Sequence, residues 1–174
     1  MQPLRGFLLL ALVAGALVTT GHLLADDDDD DDELRALPAV TQPQWKAECG
    51  SCHMLYHPAL LPERSWRKLM AGLDDHFGEN AALDDTTRKT ITDFLAQHAA
   101  DRTTARRGTV LGRGIPADQV PTRITGTRSF RGWHDELSPA TFKRASVGSA
   151  ANCVACHRGA ERGDFSEHKV RIPR

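Results

Sequence analysis

Cys49-Gly50-Ser51-Cys52-His53 and Cys153-Val154-Ala155-Cys156-His157 repeat one pattern, and between them they hold all four cysteines of the 174-residue chain. Three chemistries compete for such pairs. A redox dithiol of the thioredoxin kind follows a strand in a βαβ unit and has no use for the histidine. No segment here alternates convincingly at period two. A zinc site draws its ligands from pairs joined by one short loop, whereas about a hundred residues separate these pairs. Covalent haem attachment uses every residue of the pattern. On a helical turn, residues i and i+3 share a face, so both thiols can meet the vinyl groups along one side of a porphyrin. The histidine at i+4 from the first cysteine shares that face and can reach the iron. The expectation is two covalently bound haem c groups, anchored at Cys49 and Cys52 and at Cys153 and Cys156, with His53 and His157 each taking one axial position.

The surroundings of the motifs fit an exported chain. Residues 1–25 carry Arg5, the apolar run Gly6 to Val18, and Leu23-Leu24-Ala25, the tripartite layout of a signal peptide cleaved near Ala25. The run is shorter than the roughly 20 residues of a spanning helix, so no stable membrane span is expected after cleavage; an uncleaved tether is the alternative. Asp26 to Glu33 is unbroken acid, which repels itself and cannot pack, so residues 26–40 read as a disordered leader. About 150 residues then remain, one ordinary domain or two very small ones. With only 6% aromatic residues, a small domain here would gain much from a bulky core element that is not protein. Residues 101–174 hold about twice as many Arg and Lys as Asp and Glu. Because an exported protein rarely meets nucleic acid, a negatively charged protein partner, or negative groups bound inside this half, is the expected complement.

The rest of the chain reads as mainly α. Thr41-Gln42-Pro43 begins a helix that runs into Cys49. Pro62 begins a second, with Trp66, Leu69, Met70, Leu73 and Phe77 on one face and Gly78 at its end. Asp84 or Asp85 caps a third, Thr86 to about His98, with Ile91, Phe94 and Leu95 inward. Residues 101–122 read as a linker rich in Gly, Pro and Arg. Ser138-Pro139 then starts a helix through Phe142 and Val147 that Gly148 closes. The expected architecture is two small haem-binding cytochrome c domains, residues 41–100 and 123–174, joined by that linker.

The second axial ligand decides whether a haem carries electrons or offers an open face to a small molecule. Met54 adjoins His53 and cannot reach the far side of the same ring. His57 reads as a surface histidine before a proline, and Met70 as core packing. His76 and His98 both fall on inward faces at helical spacing, which leaves them level. For the second haem, His134 lies in the aromatic-rich Phe130-Arg131-Gly132-Trp133-His134, whereas His168 lies in a polar tail, so His134 is favoured.

Several stretches resemble the soluble dihaem cytochrome c family: Glu48 to His53, Leu60-Leu61-Pro62 with Ser65-Trp66, Met70 to Leu73, His76 to Asn80, and Asn152 to His157 with Ala160, Gly163, Phe165 and Ile172-Pro173. The likeness spans most of the chain after the leader and is weakest across the linker. It implies two small haem domains with histidine on both faces of each iron: His53 with His76, and His157 with His134. Trp133 directly beside His134 departs from the family pattern. The resemblance further implies a periplasmic electron carrier that is not an enzyme. Its implied redox partners are a small oxygen-binding monohaem cytochrome and a membrane cytochrome b. Two alternatives are a dihaem peroxidase-like enzyme with one open haem and a small dihaem electron-transfer subunit of a periplasmic reductase.

Overall fold

Gln42 and Pro43 start the first helix in the computed structural model of the chain, which describes residues 37–102 and 115–174. The expected signal peptide, the acidic run and most of the expected linker lie outside the described residues. The Gln42 side chain accepts from the Trp45 amide, proline occupies the first turn where no donor is needed, and α1 spans Pro43–Cys49. Helix α2 spans Glu63–Ala71 and α3 spans Asp85–Gln97. Asp84 caps α3 by accepting from the Thr87 amide at 3.0 Å. These three helices enclose the main core, in which Trp45, Leu61, Trp66, Met70, Leu73, Ile91 and Leu95 are buried together. Trp66 brings a polar atom into that core and satisfies it, Nε1 donating to the Pro58 carbonyl at 2.6 Å.

The second helix stops seven residues before the expected Gly78. Its C-cap is Gly72, and Leu73–Asp75 continues only as a 3₁₀ turn. Glycine lowers helix stability, and the acids that follow bond backbone outside any helix. Asp75 Oδ1 accepts from the Gly78 amide at 3.1 Å. The chain then reverses: the His76 amide donates to Glu79 O at 2.7 Å, and the Ala81 amide donates to Leu73 O at 2.8 Å. Phe77 turns with φ of +62°, rare for an aromatic residue, and Gly78 with +103°. Phe77 is therefore 44% exposed rather than inward.

The second half is assembled from short pieces. Thr127 Oγ1 accepts from the Phe130 amide at 3.1 Å and caps α4, Arg128–Trp133. Helix α5 covers only Pro139–Phe142, and the chain continues in turns to Gly148, whose amide donates to Arg144 O at 2.8 Å. The helix expected through Val147 is thus one turn of α followed by looser turns, although Val147 itself is buried. Cys153–Ala155, Ala160–Arg162 and Glu167–Lys169 are 3₁₀ turns. Among the described residues there is no strand, only the isolated bridges His76–Glu79 and Gly159–Asp164. The fold is mainly helical, as expected.

A short strap ties the halves together. The Leu37 amide donates to Gly163 O at 2.8 Å, and His57 Nε2 donates to Pro38 O at 2.7 Å. Gly163 adopts φ of +73°, and a Cβ there would stand 2.9 Å from Leu37 Cβ, so glycine is required on both counts. His57 is only 7% exposed, correcting the expectation of a surface histidine. Its Nδ1 accepts from the Ala59 amide at 3.0 Å, which engages both ring nitrogens.

Candidate functional site

The first cysteine motif leaves the end of α1. Cys49 is half-buried against the main core, while Cys52 and His53 are exposed. His53 Nδ1 donates to the Met54 carbonyl at 2.6 Å. A ring that donates through Nδ1 keeps its Nε2 lone pair for a metal. The reversal after α2 brings His76 opposite, with ring centres 6.2 Å apart and planes 28° apart. Phe77 packs on His76 at 4.7 Å, and the Arg123 guanidinium lies 3.9 Å above the centre of the Phe77 ring. Partial burial depresses the His76 pKa, and the charges of His53 and Arg123 press the same way.

The second motif opens on a cavity of about 550 Å³ lined by Cys153, Cys156, His134 and His157 together with Phe130, Phe142 and Phe165. That volume lies within the roughly 300–1,000 Å³ of small-molecule and cofactor sites. His134 Nδ1 donates to Phe130 O at 2.7 Å, the same arrangement as at His53. The ring of Phe130 stacks on His134 at 4.2 Å, and Phe165 meets His157 edge-on at 5.5 Å. The centres of the His134 and His157 rings are 6.0 Å apart, with planes at 82°. Burial holds His157 below the ordinary histidine pKa, the His134 charge adds to this, and Asp164 opposes it. Its Nδ1 is buried with no hydrogen-bond partner among the described residues.

These distances meet a simple requirement. Imidazole nitrogen binds a metal at about 2 Å, and the ring centre lies about 1 Å further on, so two axial imidazoles have centres about 6 Å apart. Both histidine pairs satisfy it, each beside a Cys-x-x-Cys-His motif. The thiols do not form a zinc cluster: no group of three or more His, Cys, Asp or Glu among the described residues could hold a metal ion. Nor do they resemble an activated dithiol. Cys49 and Cys153 are each pushed up to about 11, chiefly by burial, the opposite of a reactive thiolate.

A sequence profile of the dihaem cytochrome c family matches residues 45–165. The chain belongs to the dihaem cytochrome c family. Among solved structures, it is similar to the diheme cytochrome c from Rhodobacter sphaeroides, with 46% identity, coverage of 73% of this chain and 98% of that one, and a TM-score of 0.64. It is also similar to the diheme cytochrome type c from Shewanella baltica OS155, with 37% identity, coverage of 75% and 91%, and a TM-score of 0.61. The comparison with curated protein sequences returned no match. Membership assigns electron transfer as the general function and haem as the cofactor type. Among the described residues, no helix is long and apolar enough to cross a membrane.

The remaining sequence candidates fall elsewhere. His98 caps α3, its Nδ1 donating to Phe94 O at 2.9 Å, and its charge bears on His57. Met70 is buried in the main core, and His168 is exposed in the Glu167–Lys169 turn. Sequence reading missed Tyr56, whose ring centre lies 5.0 Å from that of His53 and whose hydroxyl donates to Ala151 O at 2.8 Å. It also missed Arg123 over Phe77. A contact 95 residues long has no local signature, although Tyr56 is the one tyrosine of the chain.

Proposed function

We propose that the chain is an exported periplasmic electron carrier with two covalent haem c groups, each held by histidine on both faces. Cys49 and Cys52 would anchor the first, with His53 and His76 as axial ligands; Cys153 and Cys156 would anchor the second, with His157 and His134. The observation that carries this reading is the pair of interhistidine separations, 6.2 and 6.0 Å, each next to its own thiol pair. Bound haem iron supplies a one-electron couple. The protein's part is to position and tune it. Backbone carbonyls at Met54 and Phe130 hold His53 and His134 in the tautomer that presents Nε2. Phe130 and Phe165 pack on the second pair, and Phe142 lines the cavity beside it. Nitrogen on both faces favours a lower potential than a methionine and histidine pair.

Filling both faces leaves no position for a peroxide, which argues for a carrier over a dihaem peroxidase. Motifs a hundred residues apart also suit an independent carrier better than a small reductase subunit. The basic second half supports acidic redox proteins as partners, with docking that weakens as salt rises. The family resemblance suggests a small oxygen-binding monohaem cytochrome and a membrane cytochrome b. The test is expression of the full chain in a host competent for cytochrome maturation. Two haems per chain, thioether mass increments at both motifs and wholly low-spin ferric spectra are expected. A colourless product with four free thiols would end the haem reading, and a high-spin ferric fraction would favour the enzyme.

A further inference from the structure

One carboxylate is held against the turn that carries His157. Asp164 faces Gly159 across an isolated bridge, its amide donating to Gly159 O at 3.1 Å. A Cβ on Gly159 would stand 2.7 Å from Asp164 Cβ and 3.1 Å from its carboxyl carbon, so only glycine lets the carboxylate approach this closely. Gly159 follows His157 by two residues, and Phe165, next to Asp164, meets the His157 ring edge-on. Both carboxylate oxygens are fixed. Oδ1 accepts from the Ser166 amide at 3.1 Å and from the Ser166 hydroxyl, and Oδ2 accepts from Lys169 Nζ at 2.8 Å. The bonds from Lys169 and then Ser166 hold the carboxyl well below the usual carboxylate range, so it stays an anion at any ordinary pH.

Nothing else beside His157 does the same work. Its Nδ1 is buried without a hydrogen-bond partner among the described residues, whereas Nδ1 of His53 and of His134 each donates to a carbonyl. The ring therefore gains no electron density from such a bond. Of the two charges that bear on it, His134 opposes a positive centre and Asp164 favours one. At the first pair the outside charge has the other sign: it is Arg123, held over Phe77, that bears on His76. Ferric haem carries one more positive charge than ferrous haem, so a fixed charge nearby moves the redox equilibrium. We infer that Asp164 is the electrostatic control of the second haem, a held anion on the His157 side that favours ferric iron there and biases a shared electron toward the first haem. The inference rests on the proposed haem ligation. It goes beyond it, because the same ligand set on both irons does not tell them apart.

Redox titration of the haem-loaded full chain tests it, with low-temperature magnetic resonance spectra of poised samples resolving the two haems and H134M assigning the second. D164N keeps the shape of the side chain and an oxygen for Ser166 or Lys169, but removes the charge. The ferrous to ferric ratio of the second haem at a fixed potential should rise about fivefold, the scale of one charge several ångströms away in a partly exposed site, while that of the first stays within about twofold. K169Q leaves the carboxylate without its cation, so the same ratio should fall. Opposite signs in these two variants separate an effect of charge from a loosening of the 159–169 turns, which would move both the same way. An unchanged second haem in D164N, equal shifts at both haems, or shifts of one sign in D164N and K169Q would each overturn the inference. Wild-type protein with fewer than two haems would instead remove the functional reading on which the inference stands.

Discussion

Replacing His57 with leucine should destabilise the protein by about 2–4 kcal/mol while leaving both haem spectra intact. The estimate follows from the two bonds the ring makes. The Ala59 amide, on a residue only 1% exposed, donates to Nδ1; stripped of its acceptor, a buried donor costs about 1–3 kcal/mol. The Pro38 carbonyl belongs to an exposed residue and can turn to water, so losing Nε2 adds about 1 kcal/mol. Leucine has a similar volume and fills the site, so little cavity cost is added. Urea unfolding followed by far-ultraviolet circular dichroism and by the Soret band measures the change. The strap gives a sharper test. His57 holds it at Pro38, and Gly163 holds it at Leu37. Once one end is free the other secures little, so H57L and G163A should be non-additive by at least about 0.5 kcal/mol. A stability within about 0.5 kcal/mol of wild type for H57L, the range of neutral surface changes, would refute this account of the strap.

The same histidine makes stability depend on pH. Burial depresses its pKa below the ordinary 6.5, helped by the His98 charge and opposed by the bond to Pro38. The unfolded chain therefore takes up the proton first. The contribution is complete above about 6.5 and is lost as pH falls through the folded value; H57Q should flatten that part of the profile in urea titrations. The axial geometry predicts two different ferric signals in low-temperature magnetic resonance: rhombic for the first haem, with imidazole planes 28° apart, and highly anisotropic for the second, at 82°. Two identical signals would contradict those ring orientations. H76M should raise the potential of the first haem alone, and H134M that of the second, by on the order of 100 mV, since a thioether favours reduced iron. W66F should cost about 1 kcal/mol in urea unfolding by removing the Nε1 bond to the Pro58 carbonyl, which then keeps only the Leu61 amide at 3.4 Å, with unchanged haem potentials.

What could be read from the chain depended on how far apart the deciding contacts lie. The caps at Gln42 and Asp84 and the Ile91 and Leu95 stripe are local, and they appear as the sequence suggests. The cysteine motifs are local too, their expected chemistry written within five residues. The end of α2 was not legible, because it depends on bonds from His76 to Glu79 and from Ala81 to Leu73 that form only when the chain reverses. That error bears on the site. Extended as a helix, the segment makes His76 and His98 equal candidates by spacing; broken at Gly72, it carries His76 to 6.2 Å from His53 and leaves His98 at the end of α3. His57 looked like a surface residue because its partner at Pro38 lies 19 positions away.

The two halves also differ in what organises them. Around the first motif, three helices bury tryptophan, leucine, isoleucine and methionine side chains against one another, and that core lies beside the histidine pair rather than around it. In the second half, the large apolar side chains point elsewhere: Phe130, Phe142 and Phe165 are half-buried and line the cavity with His134 and His157. Its fully buried apolar residues are few, chiefly Val147 and Ala160, apart from Ile115, which joins the first core. Short helices of four to six residues have little stability of their own, so their order must come from what they pack against. On the proposed reading, a haem anchored at Cys153 and Cys156 would serve two ends in this half, fixing a redox centre and supplying the surface on which the turns settle. The first half, with its own core, would need such an anchor mainly for chemistry. Tyr56 and the Leu37 strap both run from the well-packed half into the other, so each ties the protein's main core to the half that has little core of its own.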